Sequence, residues 1–193
     1  MGAIKEPERL LPVAGFLFAE GFPVDKVIPK VTEEAGMVLC KSRVVPFNHT
    51  RYYRKEMGGN VLRQWYLFDK RIRSSGLVEL KRKTNDIEKE YLNEAGGRRI
   101  NIDPGMISLG NLVLASTKNF SHRIYLGKGI FGEVTLIYKD KRFNPLEWTF
   151  QDYREEAALD FFSEAREILK NRLREESRDT SRAKEQNSRT SIS

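Results

Sequence analysis

Apolar positions along this chain recur with the periods of strands and helices in turn. Residues 11–19 form one apolar run, which predicts a buried strand. Residues 23–36 predict a helix that ends at Gly36. The apolar stripe of this helix consists of Val27, Ile28, Val31 and Ala35. Pro29 lies inside the pattern, so we expect it to kink the helix or to delay its start.

Two further strands and a longer helix follow. Residues 37–47 and 61–72 predict strands, and residues 76–95 predict the helix with the clearest amphipathic pattern. Its inner face consists of Leu77, Leu80, Thr84, Ile87 and Tyr91. The Gly96-Gly97 pair is typical of a left-handed helix cap. Because Thr84 falls on the apolar face, we expect its hydroxyl to make a buried hydrogen bond.

The second half of the chain is dominated by strand patterns. Residues 98–105 alternate apolar and polar side chains, which predicts a fourth strand that closes on an Asp-Pro-Gly turn. Residues 111–116 are apolar and fit either a strand or a short helix. Residues 122–126 and 130–138 flank Gly127-Lys128-Gly129, which predicts a β-hairpin with a three-residue loop.

A final helix is expected to begin near Thr149 and Asp152, whose spacing resembles a capping box. Its apolar face consists of Phe161, Phe162, Ala165, Ile168, Leu169 and Leu173. Residues 177–193 contain almost nothing to bury. They cannot offset a backbone ordering cost of about 1–2 kcal/mol per residue, so we predict a disordered polar tail there.

The order of these elements predicts an α+β fold. A ferredoxin-like βαββαβ core, extended by a β-hairpin and a C-terminal helix, is the simplest arrangement. We therefore expect a single domain over residues 1–176, followed by the tail at 177–193.

The predicted hairpin brings several polar and aromatic side chains onto one face. Tyr125 is expected opposite Phe131 and Arg123 opposite Glu133, and directly opposed residues share a face. We expect an ion pair between Arg123 and Glu133 with His122 beside it. Such a pair is explained by hairpin stability alone. If it is covered, it also forms a rigid polar site for an anionic ligand.

The polar segment at 48–60 reads as a loop that mixes basic and aromatic residues. Its notable side chains are His49, Arg51, Tyr52, Tyr53 and Glu56. Aromatic rings among cations suit stacking on bases and pairing with phosphates. The alternative is that Tyr52 and Tyr53 anchor the loop on the domain. Lys118, after Ser116 and Thr117, echoes a phosphate-binding cluster but lacks a glycine-rich loop.

Carboxylates supply the remaining chemical candidates. Asp103 is a candidate base or magnesium ligand, although an Asp before Pro-Gly is also the usual turn residue. Glu133 and Asp152 are further oxygen ligands that leave magnesium open. His49 and His122 lie far apart in the sequence, which argues against zinc. The cofactor is therefore undetermined, and we assign no metal ligands.

Composition indicates the class of protein and its cellular location, but it says little about function. The chain has 193 residues, of which 39% are hydrophobic and 10% aromatic, as in globular domains. No stretch approaches the ~20 apolar residues of a membrane span. Glu6 and Glu8 argue against a secretory signal, and Lys5 and Glu6 argue against myristoylation at Gly2. With Cys40 as its single cysteine, the chain has no internal disulfide. We expect a cytoplasmic protein that does not contact a membrane.

Several motifs taken together are similar to one known family. They are "PFNHTRYYRKEMG" (46–58), "KTNDIE" (83–88), "RRINIDPG" (98–105), "LASTKNFSHRIYLGKGIFGEVTL" (114–136) and "WTFQDYR" (148–154). The chain resembles a bacterial family of domains of unknown function, DUF4416, over about residues 10–172. Related members carry Tyr-Ala where this chain has Phe131-Gly132 and Tyr-Pro where it has Phe150-Gln151. A tyrosine hydroxyl lost at 131 argues against a catalytic role there, and the resemblance implies no activity.

Charge and motifs leave three classes of function. The net charge of +7 favours anionic partners, nucleic acid first. We rank first a module that binds RNA or another phosphate-bearing ligand, with candidate binding residues Arg51, Tyr52, Tyr53, Lys118 and Arg123. The alternative is an enzyme acting on a nucleotide or phosphorylated small molecule, with catalytic candidates His49, Asp103, His122 and Glu133. A third class is a protein-interaction module without chemistry. The sequence does not indicate an oligomeric state.

Overall fold

The computed structural model describes Ala3 and residues 10–190, and from residue 180 onward it describes the backbone alone. The residues that carried the signal and lipidation arguments, Gly2, Lys5, Glu6 and Glu8, lie outside the described residues. Residues 191–193 of the predicted tail also lie outside them.

One antiparallel sheet forms the middle layer of the molecule. Within the described residues its nine strands are β1 (Leu11–Ala19), β2 (Val38–Lys41), β3 (Val45–Pro46), β4 (Val61–Phe68), β5 (Ile100–Ile107), β6 (Asn111–Ser116), β7 (Ile124–Gly127), β8 (Ile130–Lys139) and β9 (Arg142–Pro145). The strand order is β2-β4-β1-β5-β6-β8-β7, and β3 pairs with β4 while β9 pairs with β8. The sheet is larger than the expected core and hairpin, because β6 and β9 both join it.

Helices cover both faces of this sheet. In the described part of the chain they are α1 (Ile28–Ala35), α2 (Arg51–Met57), α3 (Gly76–Lys89), α4 (Gln151–Arg154) and α5 (Glu156–Thr190). The predicted α+β class is confirmed in this sense. The structure carries α5 to Thr190, past residue 177, where the sequence predicts the polar tail to begin. Among the described residues, none of the helices has both the length and the apolar character needed to span a bilayer.

The alternation of side chains along β1 divides the core in two. Phe16 packs with Val31 of α1 and Ile87 of α3 on one face. Leu11 and Val13 point to the other face and pack in the cluster that contains Phe162 of α5. The polar side chains of the sheet described below, Arg63, Asp103 and Glu133, lie on this second face.

The first two helices differ from their predicted bounds for local reasons. The first predicted helix begins later than expected, at Ile28, because Pro29 fits only its first turn. A 3₁₀ turn at Val24–Lys26 precedes it. Gly36 ends α1 with a φ of 88°. The second predicted helix, α3, ends at Lys89, before the predicted cap at Gly96. The chain folds back at that point, because Leu92 pairs with Arg98 across a turn.

The hydroxyl of Thr84 makes the buried hydrogen bond that its position predicts. It donates to the carbonyl of Lys81 at 3.0 Å. Thr84 is therefore accommodated on the inner face of α3 without a partner from another element.

The predicted loop at 48–60 was wrong, because it contains α2. Thr50 caps this helix by accepting a hydrogen bond from the Tyr52 backbone N–H at 3.1 Å, and Gly58 ends it with a φ of 75°. Only Met57 of the helix is buried, so no apolar stripe marked it in the sequence.

The predicted Asp-Pro-Gly turn was also wrong. β5 runs through these residues, and Asp103 pairs with Gly15 of β1. Pro104 is tolerated because β6 pairs with β5 only from Gly105 onward, so Pro104 lies beside a single neighbouring strand. Asp103 is consequently a sheet residue that faces the same side as Asn101.

The capping box at the last helices does not form. Thr149 accepts a hydrogen bond from the Leu146 N–H at 2.7 Å and donates one to the Thr135 carbonyl at 2.5 Å. Asp152 is buried and pairs with Arg63 instead. The spacing of Thr149 and Asp152 fits a capping box, but the Asp152 carboxylate binds the buried guanidinium of Arg63 on a distant strand instead.

The predicted hairpin is confirmed, with a tighter loop. Tyr125 pairs with Phe131 as expected, whereas Gly127 pairs with Ile130 and leaves Leu126 in a bulge. The chain turns at Lys128, whose φ is 52°, and Gly129, whose φ is 77°. A two-residue turn with both φ values positive matches the twist of a hairpin.

Candidate functional site

A buried guanidinium lies at the centre of the polar face. Arg63 of β4 donates from Nε and Nη2 to Asp152 Oδ2, at 2.7 and 2.6 Å. Its Nη1 donates to Asp103 Oδ2 at 3.1 Å. A buried charge is costly unless it is paired, and here two carboxylates from different elements pair it. The arrangement ties α4 to β4 and β5.

Gly15 makes room for this arrangement. It lies on β1, between Trp65 of β4 and Asp103 of β5. A Cβ atom at this position would stand 2.8 Å from Arg63 Nη1 and 2.6 Å from the Tyr153 hydroxyl. The missing side chain therefore lets the guanidinium reach across β1 to Asp103.

The polar contacts continue along β5 toward α2 and α3. Asn101 Nδ2 donates to Asp103 Oδ1 at 2.9 Å, and Arg98 Nη1 donates to Asn101 Oδ1 at 2.7 Å. Arg98 also pairs with Glu56 of α2 at 2.7 Å and with Glu88 of α3 at 3.1 Å. Asp103 is thus fixed from both sides by groups that are themselves held.

These surroundings shift the pKa values of two carboxyl groups, Asp103 and Glu88, in opposite directions. Burial by itself would raise the pKa of Asp103, but the Arg63 guanidinium, the Lys81 ammonium and the Asn101 amide hold it below its ordinary value. Burial raises the pKa of Glu88 above its ordinary value, although Lys81 opposes that rise. At neutral pH Asp103 is therefore an ionised carboxylate.

A cavity of about 260 Å³ opens above this network. Its apolar wall consists of Leu17, Phe47, Tyr53 and Phe150, and its polar lining adds His49, Thr50 and Gln151 to the charged floor. On that floor the side chains of Arg63 and Asp152 are 4% and 5% exposed, whereas that of Asp103 is 27% exposed. Asp103 is therefore the charged group that the network presents to the cavity.

Two further titratable groups line the same cavity. His49 Nε2 lies 3.1 Å from Glu155 Oε1, and the imidazole packs edge-on against Phe47. Burial raises the pKa of the Tyr53 phenol, so this side chain stays protonated and can donate a hydrogen bond. The cavity combines an anionic acceptor, a neutral hydroxyl and an imidazole.

A second polar cluster lies under the hairpin, as the sequence predicts. Glu133 is buried and accepts hydrogen bonds from Arg123 Nε at 2.7 Å and from Thr135 Oγ1 at 3.3 Å. His122 Nε2 lies 3.2 Å from the same carboxylate. Arg123 Nη1 also donates to the Lys118 carbonyl at 2.9 Å, which fixes the loop at 117–123, hereafter the β6–β7 loop.

Aromatic rings surround His122 on the outer side of this cluster. The His122 and Trp148 rings stack with centroids 5.1 Å apart and an angle of 7° between their planes. The ring centroid of Phe120 lies 5.1 Å from that of the imidazole. The Trp148 indole donates to the Val134 carbonyl at 2.8 Å, which fixes its orientation. These rings line an open cavity of about 600 Å³ together with Ser121 and Glu147.

Residues 9–169 match the family model described as Domain of unknown function (DUF4416). The chain belongs to this family. Searches of curated proteins and of solved structures gave no match. Every residue that lines the two cavities lies within the range matched by the DUF4416 model.

The predicted site residues of this DUF4416 domain divide between the two cavities. His49, Tyr53 and Asp103 line the smaller one, and His122 lines the larger one with Arg123 and Glu133 beneath it. Among the described residues, the two linings have no residue in common. They are linked at the surface, since Lys118 Nζ lies 5.9 Å from the ring centroid of Tyr52, which neighbours Tyr53 on α2.

Sequence reasoning missed Arg63, Gly15 and Trp148, which organise these cavities. Two signals were available. Arg63 interrupts the inward-facing series of β4, between Val61 and Trp65, and a charge at such a position implies a buried partner. A glycine inside a strand marks a close approach by another group. Trp148 has no comparable signal.

The described part of the chain contains no cluster of side chains suited to bind a metal ion. No three His, Cys, Asp or Glu side chains of these residues are placed to hold one ion. Asp103 and Asp152 are both directed to Arg63, and Glu133 is directed to Arg123 and His122.

Proposed function

We propose that the protein binds RNA, or another phosphate-bearing ligand, on the surface formed by α2, the β6–β7 loop and the segment at 146–150. The observation that carries the proposal is the contact of Lys118 with the Tyr52 ring, which places a cation beside an aromatic platform that is 57% exposed. Phe120, Trp148 and Phe150 add exposed rings on the same surface. Exposed aromatic rings beside cations are the usual means of holding single-stranded nucleic acid.

The distribution of cations supports the same surface. Arg63, Arg98 and Arg123 are each paired with carboxylates, so they have little capacity left for a phosphate. Lys118 and Arg51 are exposed, and no carboxylate among the described residues lies within 4.0 Å of either. They are the cations that we expect to contact phosphate.

The strand order offers a second line of support. We infer that β2-β4-β1-β5, with α1 and α3 on one face, is the ferredoxin-like unit that the sequence predicts. RNA-binding modules of this architecture hold bases on the sheet face that their helices leave open. Here the polar cavities lie on the face opposite α1 and α3.

The test is binding of a fluorescent single-stranded RNA, followed by anisotropy over a series of salt concentrations. Affinity is expected to fall steeply with salt, and Lys118→Ala and Arg51→Ala should each weaken binding and lower the salt slope by about 1. Lys26→Ala serves as the matched control, because it removes one exposed charge beside α1. Absence of binding, or binding that salt does not change, would contradict the proposal.

An enzyme acting on a nucleotide or phosphorylated small molecule is the second candidate. It is favoured by His49, which Glu155 orients at 3.1 Å in the cavity that also contains ionised Asp103. An imidazole held by a carboxylate is suited to general-base chemistry, which contributes about 10²–10⁴-fold to rate. If turnover of a nucleotide is found, His49→Ala should lower its rate by that factor.

A further inference from the structure

We infer that the cavity above Asp103 holds one heterocyclic base of the bound ligand and selects guanine by the N–H donors on its edge. The inference rests on the proposed function, since it takes the ligand to be RNA or a nucleotide. It adds that the smaller cavity determines which base is bound.

The size and wall of the cavity favour a single ring system. Its volume of about 260 Å³ is just below the usual range for drug-sized ligands, about 300–1,000 Å³. Phe47 and Tyr53 come from one segment and Phe150 from another, so aromatic side chains from two separate parts of the chain line the cavity. A flat base is the part of a nucleotide that gains most from such surroundings.

The charge of the floor determines which end of a nucleotide enters. Two carboxylates, Asp103 and Asp152, share the single guanidinium of Arg63, and the nearby cation Lys81 acts on Glu88 as well as on Asp103, so carboxylates outnumber cations around the floor. A phosphate would be repelled there. Two exposed cations lie outside the lining of the cavity: Lys118 is beside the Tyr52 ring, and Arg51 precedes Tyr52 on α2. The base therefore enters and the phosphate stays at the surface.

The acceptor on the floor matches guanine better than the other bases. Asp103 accepts one hydrogen bond on each oxygen, from Arg63 and from Asn101, and each oxygen has a further lone pair. Guanine presents two adjacent donors, N1–H and the N2 amino group. Adenine and cytosine present a ring nitrogen that accepts, and uracil presents one N–H between two carbonyl oxygens. An ionised carboxylate repels such acceptors, so the discrimination comes from repulsion as well as attraction.

Asp103 is held ready for this contact before a ligand binds. Arg63 and Asn101 fix the carboxylate from both sides, and Gly15 leaves the space through which Arg63 reaches it. A fixed acceptor loses little freedom on binding, which favours discrimination between ligands of similar size.

The experiment compares ten-residue uridine RNAs that carry one central guanosine, adenosine or inosine, measured by anisotropy. Guanosine is expected to bind at least tenfold tighter than adenosine, with inosine between them because it lacks the N2 amino group. Asp103→Asn should abolish the preference for guanosine, because it removes both the anionic acceptor and its repulsion of the other bases. Phe150→Ala, which leaves the ion network intact, should weaken guanosine binding about tenfold and supplies the test if Asp103→Asn does not fold.

Phe120→Ala is the matched control, since Phe120 lines the other cavity. It should weaken all the RNAs alike and keep the preference for guanosine. Equal affinity for guanosine and adenosine, with binding still reduced by Lys118→Ala, would overturn the inference and leave RNA binding standing. Absence of binding to every RNA would overturn both.

Discussion

At the scale of the residue, Gly15 decides whether the buried network can form. Replacing it by alanine would place a Cβ 2.6 Å from the Tyr153 hydroxyl and 2.8 Å from Arg63 Nη1. Both side chains are buried. Arg63 is held by its two carboxylates and the Tyr153 ring is packed against Trp65 and Phe162, so neither can move aside without loss of contacts. We expect Gly15→Ala to lower the free energy of unfolding by about 1–3 kcal/mol in urea denaturation. Gly110→Ala is the control, because its nearest neighbour would be 3.9 Å away and its stability should not change.

Two carboxylates of the same network should respond to acid with opposite signs. The pKa of Asp103 is lowered in the folded protein, so its stabilisation is present above the ordinary carboxyl pKa and is lost as pH falls through the folded value. The pKa of Glu88 is raised, so its contribution to stability grows as pH falls through the folded value. In urea denaturation between pH 7 and pH 3, Asp103→Asn should flatten the acid loss of stability and Glu88→Gln should steepen it. Equal slopes for the two variants would contradict this assignment.

At the scale of the element, the turn between β8 and β9 places two consecutive non-glycine residues in the left-handed region. Asp140 and Lys141 both have positive φ, 53° and 62°, which costs a non-glycine residue about 1–2 kcal/mol. Glycine adopts this conformation without that cost but loses more freedom on folding. We expect Lys141→Gly to stabilise the protein by about 0.5–1 kcal/mol, measured by thermal denaturation.

Lys139→Gly is the control for this substitution. Lys139 is also an exposed lysine, but it lies within β8 and pairs with Arg142. Glycine in a strand should destabilise by about 0.5–1 kcal/mol. If both glycine variants changed stability in the same direction, backbone conformation at Lys141 would not be the cause.

At the scale of the whole molecule, the length of α5 exceeds what the core requires. Among the described residues, Leu173 is the last of α5 that packs against the buried cluster of Phe161, Phe162 and Leu169. Deleting residues 180–193 should therefore change the free energy of unfolding by less than about 0.5 kcal/mol. Deleting residues 168–193 also removes Leu169 and should destabilise the domain strongly. A large effect of the shorter deletion would show that the end of the chain contributes to stability.

The parts of the fold that sequence predicts well are those in which local pattern and burial agree. The apolar run of β1, the Pro29 delay of α1 and the turn at Lys128 were all predicted from neighbouring residues. The prediction failed where seven residues bury a single side chain, as in α2, because a helix without an apolar stripe resembles a loop. It also failed at the Asp-Pro-Gly motif, since a paired neighbouring strand outweighs turn propensity.

For the site, the sequence alone determined the Arg123–Glu133 pair, because a hairpin fixes which residues face each other within a few positions of its turn. It also determined the cationic and aromatic character of the surface around Tyr52 and Lys118. Only the tertiary structure decided that Asp103 and Asp152 meet on one guanidinium. Arg63 and Asp152 are 89 residues apart, and no local rule connects them. They meet because a charge buried on a sheet requires partners from whichever elements the packing brings over it.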